Sequence, residues 1–263
     1  MAITSFDGFI ASAKQYLSVA KTAARSSVAA SWFSVFDLAG NPGAGVLAGT
    51  STAAGVVPTD ATAGCPTIDA FGGGATGYLA QVDFGSSVAC RLKLFDLVFK
   101  AGAYAFNAAQ ALSGQPSYLA RMPGASYGDT QIWVEAVTAF TGNPTFTITY
   151  TNQAGTPGRT AILAAGAALT LGRMTQVPLQ VGDTGVQTIT NVTCTGATAG
   201  TFNVLVTRPL WSGRCRTAND GDVHDLTKTG MPVVFADSAL CLAVAADGTS
   251  TGIPELEMVI ANG

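Results

Sequence analysis

The chain has 263 residues, of which 11% are charged and 48% are hydrophobic, and its formal net charge is −3 at pH 7. Ordinary soluble domains carry about 25% charged residues, so this chain has little charge with which to keep a large surface free of neighbours. The near-neutral balance provides no electrostatic basis for nucleic-acid binding, and we expect no nucleic-acid partner. The length fits one large domain or one domain with a smaller appendage.

The mean hydropathy of +0.35 raises the question of a membrane segment. The two most apolar stretches, LFDLVFKAGAYAF at 94–106 and VVFADSALCLAVAA at 233–246, both contain charged residues. A helical span needs about 20 predominantly apolar residues, so we predict no membrane association. The start, MAITSFDGFIASAKQYL, lacks the basic and apolar blocks of a signal peptide, which predicts a protein made and used without export.

The N-terminal residues are predicted to be helical. After Ser5, a candidate cap, apolar residues recur at helical spacing, namely Phe6, Phe9, Ile10, Ala13, Leu17 and Ala20. A second helix is predicted after residues 26–27, carrying Val28, Trp32, Val35 and Phe36 and ending at Gly40-Asn41-Pro42. Two interpretations stay open: the helices pack on the rest of the chain or on each other, or they form an arm that grips a neighbouring subunit.

Residues 41–77 are rich in Gly, Ala, Thr, Pro and Ser and show little regular patterning. Loops of this length are uncommon inside compact domains and are usually functional or extended. The neutral, small side chains suit a segment that lies across another protein surface, and a disordered linker is the alternative. We therefore predict N-terminal helices and an extended arm in residues 1–75, followed by a β-sandwich domain in residues 76–263.

The rest of the chain reads as short strands separated by turn residues. Predicted strands lie at 78–83, 89–99, 131–140, 145–151, 159–163, 176–181, 186–194, 201–208, 232–244 and 253–260, and part of 92–112 is open to a helical interpretation. This pattern predicts a mainly β fold, an antiparallel β-sandwich that is jelly-roll-like, with an immunoglobulin-like sandwich as the alternative topology.

The clearest local signal is TFTITYTNQAGTPGRTA at 145–161. Phe146, Ile148 and Tyr150 alternate with threonines, and Asn, Gly and Pro follow. The alternation and turn predict a β-hairpin with one buried face and one face covered by hydroxyl groups. A neutral hydroxyl face suits contact with protein, since the cores of interfaces are depleted in Lys, Glu and Asp.

Candidate chemistry is sparse, and no catalytic, cofactor-binding or metal residue is predicted. The single histidine lies in NDGDVHD at 219–225, where Asp225 and Met231 occupy the positions that a calcium loop counted from Asp220 would give to Gly and Glu. A solvated turn is expected there. No GxSxG motif accompanies His224. AFGGGATG at 70–77 lacks a phosphate-loop pattern and is read as a flexible turn.

Three other features have two interpretations each. Glu135 in QIWVEAV is either an inward carboxyl group with a raised pKa or an outward residue on a polar face, and we expect the outward one. WSGRCR at 211–216 is read as a protein contact or an ordinary loop. The five cysteines, Cys65, Cys90, Cys194, Cys215 and Cys241, lack metal or disulfide spacing and are expected to be buried free thiols.

Several stretches together resemble one family. They are SFDGFIASAKQY, SWFSVFDLAGNPGAG, VPTDATAG, TYTNQAGTPGRTA, VPLQVGDTGVQTITNVT, TFNVLVTRPL and CLAVAADGTSTG. They are similar to structural proteins encoded among the head genes of tailed bacteriophages, the capsid decoration or cement proteins. The resemblance covers most of the chain and implies a virion protein that sits on or between major capsid subunits.

The resulting expectation is a non-enzymatic cement protein of the capsid, assembled in the host cytoplasm, with the major capsid protein and further copies of itself, as a dimer or trimer, as partners. Another virion component, from a tail, baseplate or head fibre, is the first alternative. A carbohydrate-binding attachment module is the second, and its aromatic candidates are Trp133, Trp211, Tyr127 and Tyr150. No cofactor is expected.

Overall fold

The computed structural model describes residue 3, residues 5–73 and residues 75–263. These residues contain two short α-helices, α1 at Phe6–Ala11 and α2 at Leu226–Thr229, and 3-10 turns at Leu119–Arg121 and Pro123–Ala125. No helix in the described part of the chain is long and apolar enough to cross a membrane.

Strands make up most of the fold. In chain order the first eight are β1 Ala13–Lys21, β2 Trp32–Ser34, β3 Gly40–Asn41, β4 Ser51–Val56, β5 Gly77–Ser86, β6 Cys90–Ala105, β7 Ala109–Ala111 and β8 Gln131–Asn152. The others are β9 Arg159–Ala164, β10 Arg173–Val177, β11 Val186–Cys215, β12 Asp220–His224, β13 Val233–Val234, β14 Leu240–Ala246 and β15 Pro254–Asn262.

The strands form two antiparallel sheets in a sandwich-like arrangement, which confirms the predicted mainly β fold. The smaller sheet has the order β12–β5–β15–β1–β3, with β13 also paired to β5. The larger sheet contains β4, β6, β14, β2, β10, β8, β11 and β7 in that order, and β9 pairs with β8.

Pairing within the larger sheet returns to its starting strand. β6 pairs with β14, β14 with β2, β2 with β10, β10 with β8, β8 with β11, and β11 with β6 again. These six strands therefore form a closed ring, and one side of each strand faces its interior. β4, β7 and β9 are not members of this ring; they pair with further lengths of β6, β11 and β8, respectively.

Three apolar clusters hold the fold together. One lies between the two sheets and includes Leu79 and Leu256 from the smaller sheet and Leu94 from the larger. A second lies under the long β8–β11 pair and includes Phe146, Ile148, Tyr150 and Phe202. The third fills the ring, with members from its strands such as Phe95, Leu97, Trp133, Met174, Leu205 and Ala243. Burial of this much apolar surface is the main driving force for folding.

The first predicted helix has the expected cap but is much too long. The Gly8 N–H donates to Ser5 Oγ over 3.0 Å at the start of α1, yet the helix ends well before Ala20. The following residues form β1, in which Leu17 and Val19 are buried and alternate with more exposed neighbours. β1 pairs along its length with β15 at the other end of the chain, and this distant partner overrides the local helical periodicity.

The second predicted helix, between residues 26 and 40, is wrong. Trp32 begins β2, which fills the gap between β10 and β14 in the ring. Val35 and Phe36, which were expected on an apolar helix face, are buried beside that strand. Apolar residues three to four positions apart did not distinguish a helix from a strand in this stretch. β2 is only a few residues long, and its pairing with its two neighbouring strands specifies it.

The described residues of the 41–77 segment, 41–73 and 75–77, pack against their own chain, so the disordered-linker alternative is wrong for them. The Gly49 N–H donates to Asn203 Oδ1 over 2.8 Å, and Asn203 Nδ2 donates to the Leu47 carbonyl oxygen over 2.6 Å. Arg121 donates to the carbonyl oxygen of Pro58. The segment thus lies across the ring, as β4 and irregular loop. The domain division at residue 75 stays a prediction, and strands from both sides of it share each sheet.

Most of the predicted strands are present, with changes in their limits. The predicted strands at 131–140 and 145–151 are one strand, β8, and those at 186–194 and 201–208 are one strand, β11. The predicted 176–181 strand corresponds to β10, which begins earlier and ends sooner, and 232–244 divides into β13 and β14. Residues 92–112 contain no helix.

Candidate functional site

The predicted hairpin at 145–161 is confirmed. β8 and β9 pair from Thr145 opposite Ala164 to Tyr150 opposite Arg159. Phe146, Ile148 and Tyr150 are fully buried, while the threonines between them are partly exposed. The period of two along the strand therefore separates a core side from a hydroxyl side.

The hydroxyl side continues across four adjacent strands, and we call it the threonine face. Register places the same side of β9, β8, β11 and β7 next to one another. Its members are Thr160, Ile162 and Ala164 of β9, Thr145, Thr147, Thr149 and Thr151 of β8, Thr188, Asn191, Thr193 and Thr195 of β11, and Ala109 and Ala111 of β7. All are partly or fully exposed, and none of these thirteen is charged.

The size of the threonine face limits what it can bind alone. Four strands about 4.8 Å apart and seven residues of about 3.4 Å each span roughly 450 Å². A standard stable interface buries about 800 Å² on each partner. One copy of this face would therefore make a weak contact, and useful binding requires additional surface or many copies acting together.

The outer side of the smaller sheet is acidic, in contrast to the uncharged threonine face. Asp83 of β5 lies directly opposite Glu257 of β15, and Glu255 lies two residues further along the same strand. All three side chains are exposed. Like charges directly opposite in a sheet are destabilising. Sequence reasoning did not single out this acidic side, although the alternation in PELEMVI carries the signal.

The expected outward position of Glu135 is wrong, because its side chain points into the ring. It is 3% exposed and accepts a hydrogen bond from Asn203 Nδ2 at 2.7 Å. Burial raises the pKa of Glu135 above its usual value, and Lys100 and Asn203 oppose that shift. Whether Glu135 points inward or outward depends on which other strands pack against β8. The sequence QIWVEAV alone does not specify those strands.

A second buried carboxylate is held by cations. Asp96 in β6 is fully buried and accepts from the guanidinium groups of Arg121 and Arg208, the latter at 3.1 Å. Ser238 Oγ and the Ala239 N–H also donate to it, over 2.9 and 3.1 Å. Both carboxylate oxygens of Asp96 therefore accept hydrogen bonds. These bonds connect β6 to β11 and to the turn before β14.

NDGDVHD is not a free turn, because most of its residues form β12, which pairs with β5. Trp211 Nε1 donates to His224 Nδ1 over 2.9 Å, which places the ring proton of the neutral imidazole on Nε2. Asp225 caps α2 by accepting from the Thr227 and Lys228 N–H groups. Among the described residues, no group of three or more His, Cys, Asp or Glu side chains could hold a metal ion.

The aromatic candidates for carbohydrate stacking do not form an exposed platform. Trp133, Tyr150 and Trp211 are buried, at 1%, 0% and 6% exposure. Tyr127 is partly buried and stacks edge-to-face with Tyr118. A stacked sugar needs an accessible ring face, so these four residues do not supply the predicted carbohydrate site.

The remaining candidates have local structural roles. The loop interpretation of WSGRCR is wrong, because residues 211–215 belong to β11. Arg214 and Arg216 are exposed, and Arg214 Nη2 lies 3.8 Å from Asp247 Oδ2. All five cysteines are free, as predicted, and four are buried. Burial raises the pKa of Cys194 to about 11 and that of Cys215 to about 12, so these thiols are poor nucleophiles at neutral pH.

Comparison with known proteins gives little similarity. No protein-family model matches the chain, and no curated protein sequence matches it. Among solved structures, those of infectious bursal disease virus, Gx strain and Gt strain, were found at 10% and 11% identity, with TM-scores of 0.16 and 0.17. Each match covers 95% of this chain and 80% of the viral one. Scores this low carry no argument about fold or function.

Proposed function

We propose that the protein is a structural component of a virion that binds the outside of a phage capsid and cements neighbouring capsomers. The observation that carries the proposal is the threonine face, an exposed side of four strands without a charged residue. Interface cores are depleted in Lys, Glu and Asp in the same way. The sequence resemblance to capsid decoration proteins supports the same role.

The partner under this proposal is the major capsid protein, and self-association as a dimer or trimer would follow the symmetry of the junction. Binding to the assembled shell alone stabilises it by mass action. The limited area of one threonine face fits this arrangement, since many weak contacts on a symmetric lattice add through avidity.

The test is co-sedimentation with empty shells of the major capsid protein encoded in the same genome. Deletion of residues 1–75 is unsuitable, because it removes β1 to β4 from both sheets. Thr149→Lys instead places a charge in the middle of the threonine face. Thr217→Lys, at an exposed position in the loop between β11 and β12, is the matched control.

Saturable binding of the wild type and of Thr217→Lys, with at least tenfold weaker binding of Thr149→Lys, supports the proposal. Equal binding of both variants would place the contact on another surface. Wild-type chain that stays in the supernatant at all concentrations would overturn the cement role and favour a tail, baseplate or head-fibre position.

A further inference from the structure

Inside the ring, three polar side chains with complementary chemistry lie close together. Glu135, Asn203 and Lys100 are 3%, 0% and 7% exposed. Asn203 Nδ2 donates to Glu135 Oε2 over 2.7 Å, and Asn203 Oδ1 accepts from the Gly49 N–H over 2.8 Å. The carboxamide is thus polarised from both ends, by a backbone donor at its oxygen and a carboxyl group at its nitrogen.

Lys100 lies on the strand next to this carboxamide. Its register partner across β6 and β11 is Leu205, and Asn203 lies two residues before Leu205 on the same side of the strand. Such diagonal neighbours are about 7–8 Å apart, which long side chains can bridge. Lys100 Nζ donates to the Val46 carbonyl oxygen over 3.2 Å, and Asn203 Nδ2 donates to the next carbonyl, that of Leu47.

We propose that Lys100 and Asn203 form an intramolecular isopeptide bond, with Glu135 as the catalytic residue that transfers the proton. The Glu135 carboxylate takes one proton from the Lys100 ammonium group, and the neutral Nζ then adds to Cγ of Asn203. The Gly49 N–H stabilises the negative charge that develops on Oδ1, and Glu135 passes its proton to Nδ2 and takes the second proton from Nζ. The Cγ–Nδ2 bond then breaks, one ammonia molecule leaves, and no oxidant or other reactant is needed.

The surroundings of the three residues favour this reaction. Burial raises the pKa of Glu135, which favours the protonated carboxyl group and so its use as a proton donor. The neighbouring cavity of about 20 Å³ borders both Lys100 and Glu135 and is large enough for roughly one small molecule such as water or ammonia. Holding amine and carboxamide together in a dry interior replaces a bimolecular encounter and can contribute a large rate factor.

The bond would join β6 to β11, which are neighbours in the ring. It is a single reaction of the chain on itself and does not depend on capsid binding. A covalent link between strands far apart in sequence restricts the unfolded chain, as a disulfide does. The cross-linked protein is therefore expected to unfold at a higher temperature than a variant that lacks the bond.

The experiment is intact-mass spectrometry of the full chain, denatured and reduced. The wild type is expected to be lighter than its sequence mass by one ammonia molecule, while Lys100→Arg and Glu135→Gln keep their full sequence masses. Lys93→Arg is the matched control, since it makes the same change on the same strand and is expected to retain the loss. A full-mass wild type overturns the proposal, as does a loss that persists in Lys100→Arg.

Two further measurements keep the result specific. Succinimide formation at Asn262-Gly263 would also release ammonia, but Lys100→Arg would not abolish it. Peptide mapping must therefore find one fragment that joins β6 to β11, and linear Lys100 and Asn203 peptides alone would contradict the bond.

Asn203→Asp is expected to lose water in place of ammonia, which provides a readout should Glu135→Gln fail to fold. An Asn203→Asp variant that folds and keeps its full sequence mass would count against the mechanism.

Discussion

Asn203 of β11 and Glu135 of β8 lie directly opposite each other in the strand pairing, and their side chains are hydrogen-bonded over 2.7 Å inside the ring. The same carboxamide also holds the carbonyl oxygen of Leu47 and the N–H of Gly49. One side chain therefore joins two ring strands to the 41–77 segment.

Replacement of this residue should be costly. Asn203→Ala leaves the Glu135 carboxyl group and two backbone groups of the 41–77 segment without their partner, and we expect a loss of about 3 kcal/mol or more in the free energy of unfolding. Urea unfolding at neutral pH measures it. Asn191→Ala on the threonine face should change stability by less than about 0.5 kcal/mol; equal effects of the two variants would contradict the anchoring role.

Removal of the buried carboxylate of Asp96 should also destabilise the fold. Asp96→Asn leaves Arg121 and Arg208 buried without a counterion, and breaking a buried ion pair in this way costs about 3–5 kcal/mol. The midpoint of urea unfolding is the measurement. Asp247→Asn, which disrupts only the exposed 3.8 Å contact with Arg214, is the control, with an expected change below about 1 kcal/mol.

The loop after β10 should weaken in acid. Asp183 accepts from Arg159 Nε over 2.8 Å, Tyr150 Oη over 2.6 Å and Asn152 Nδ2 over 2.7 Å. These partners, Arg159 first, lower the pKa of Asp183 from 3.8 to about 2. A carboxyl group whose pKa is lower in the folded state contributes stability above its unfolded pKa and loses it as the pH falls.

We therefore expect stability to fall between about pH 4 and pH 2, and Asp183→Asn should remove part of that dependence while lowering stability at pH 7. Thermal unfolding at several pH values measures both effects. Asp237→Asn, at an exposed position, should leave the acid profile unchanged. An identical pH profile for Asp183→Asn and wild type would show that another group controls the transition.

A glycine near the edge of the smaller sheet provides a test of close backbone packing. Gly40 has φ +144°, and a Cβ there would lie 2.2 Å from the Ala20 carbonyl oxygen. Gly40→Ala should therefore separate β1 from β3 and cost about 2 kcal/mol or more. Gly43→Ala is the control, because a Cβ at that position meets no atom within 4 Å. Equal melting temperatures for the two variants would show that β3 can shift without loss.

Local sequence patterns were sufficient to predict elements whose pairing partners are adjacent in the sequence. The 145–161 hairpin was predictable because its strands and turn are adjacent, so alternation and turn residues describe the whole unit. β1 was misread because its partner β15 lies at the other end of the chain. Glu135 lies beside Lys100 and Asn203, which belong to two other strands. The pattern of a single sequence does not predict which residues of distant strands become neighbours.

The ring also determines when the protein can fold. β2, near the N-terminus, pairs with β14, near the C-terminus, and loop-closure entropy makes such distant contacts slow to form. During synthesis the ring interior therefore stays open to solvent until β14 has left the ribosome. A chain truncated before β14 would leave that interior exposed to solvent and would aggregate or be degraded.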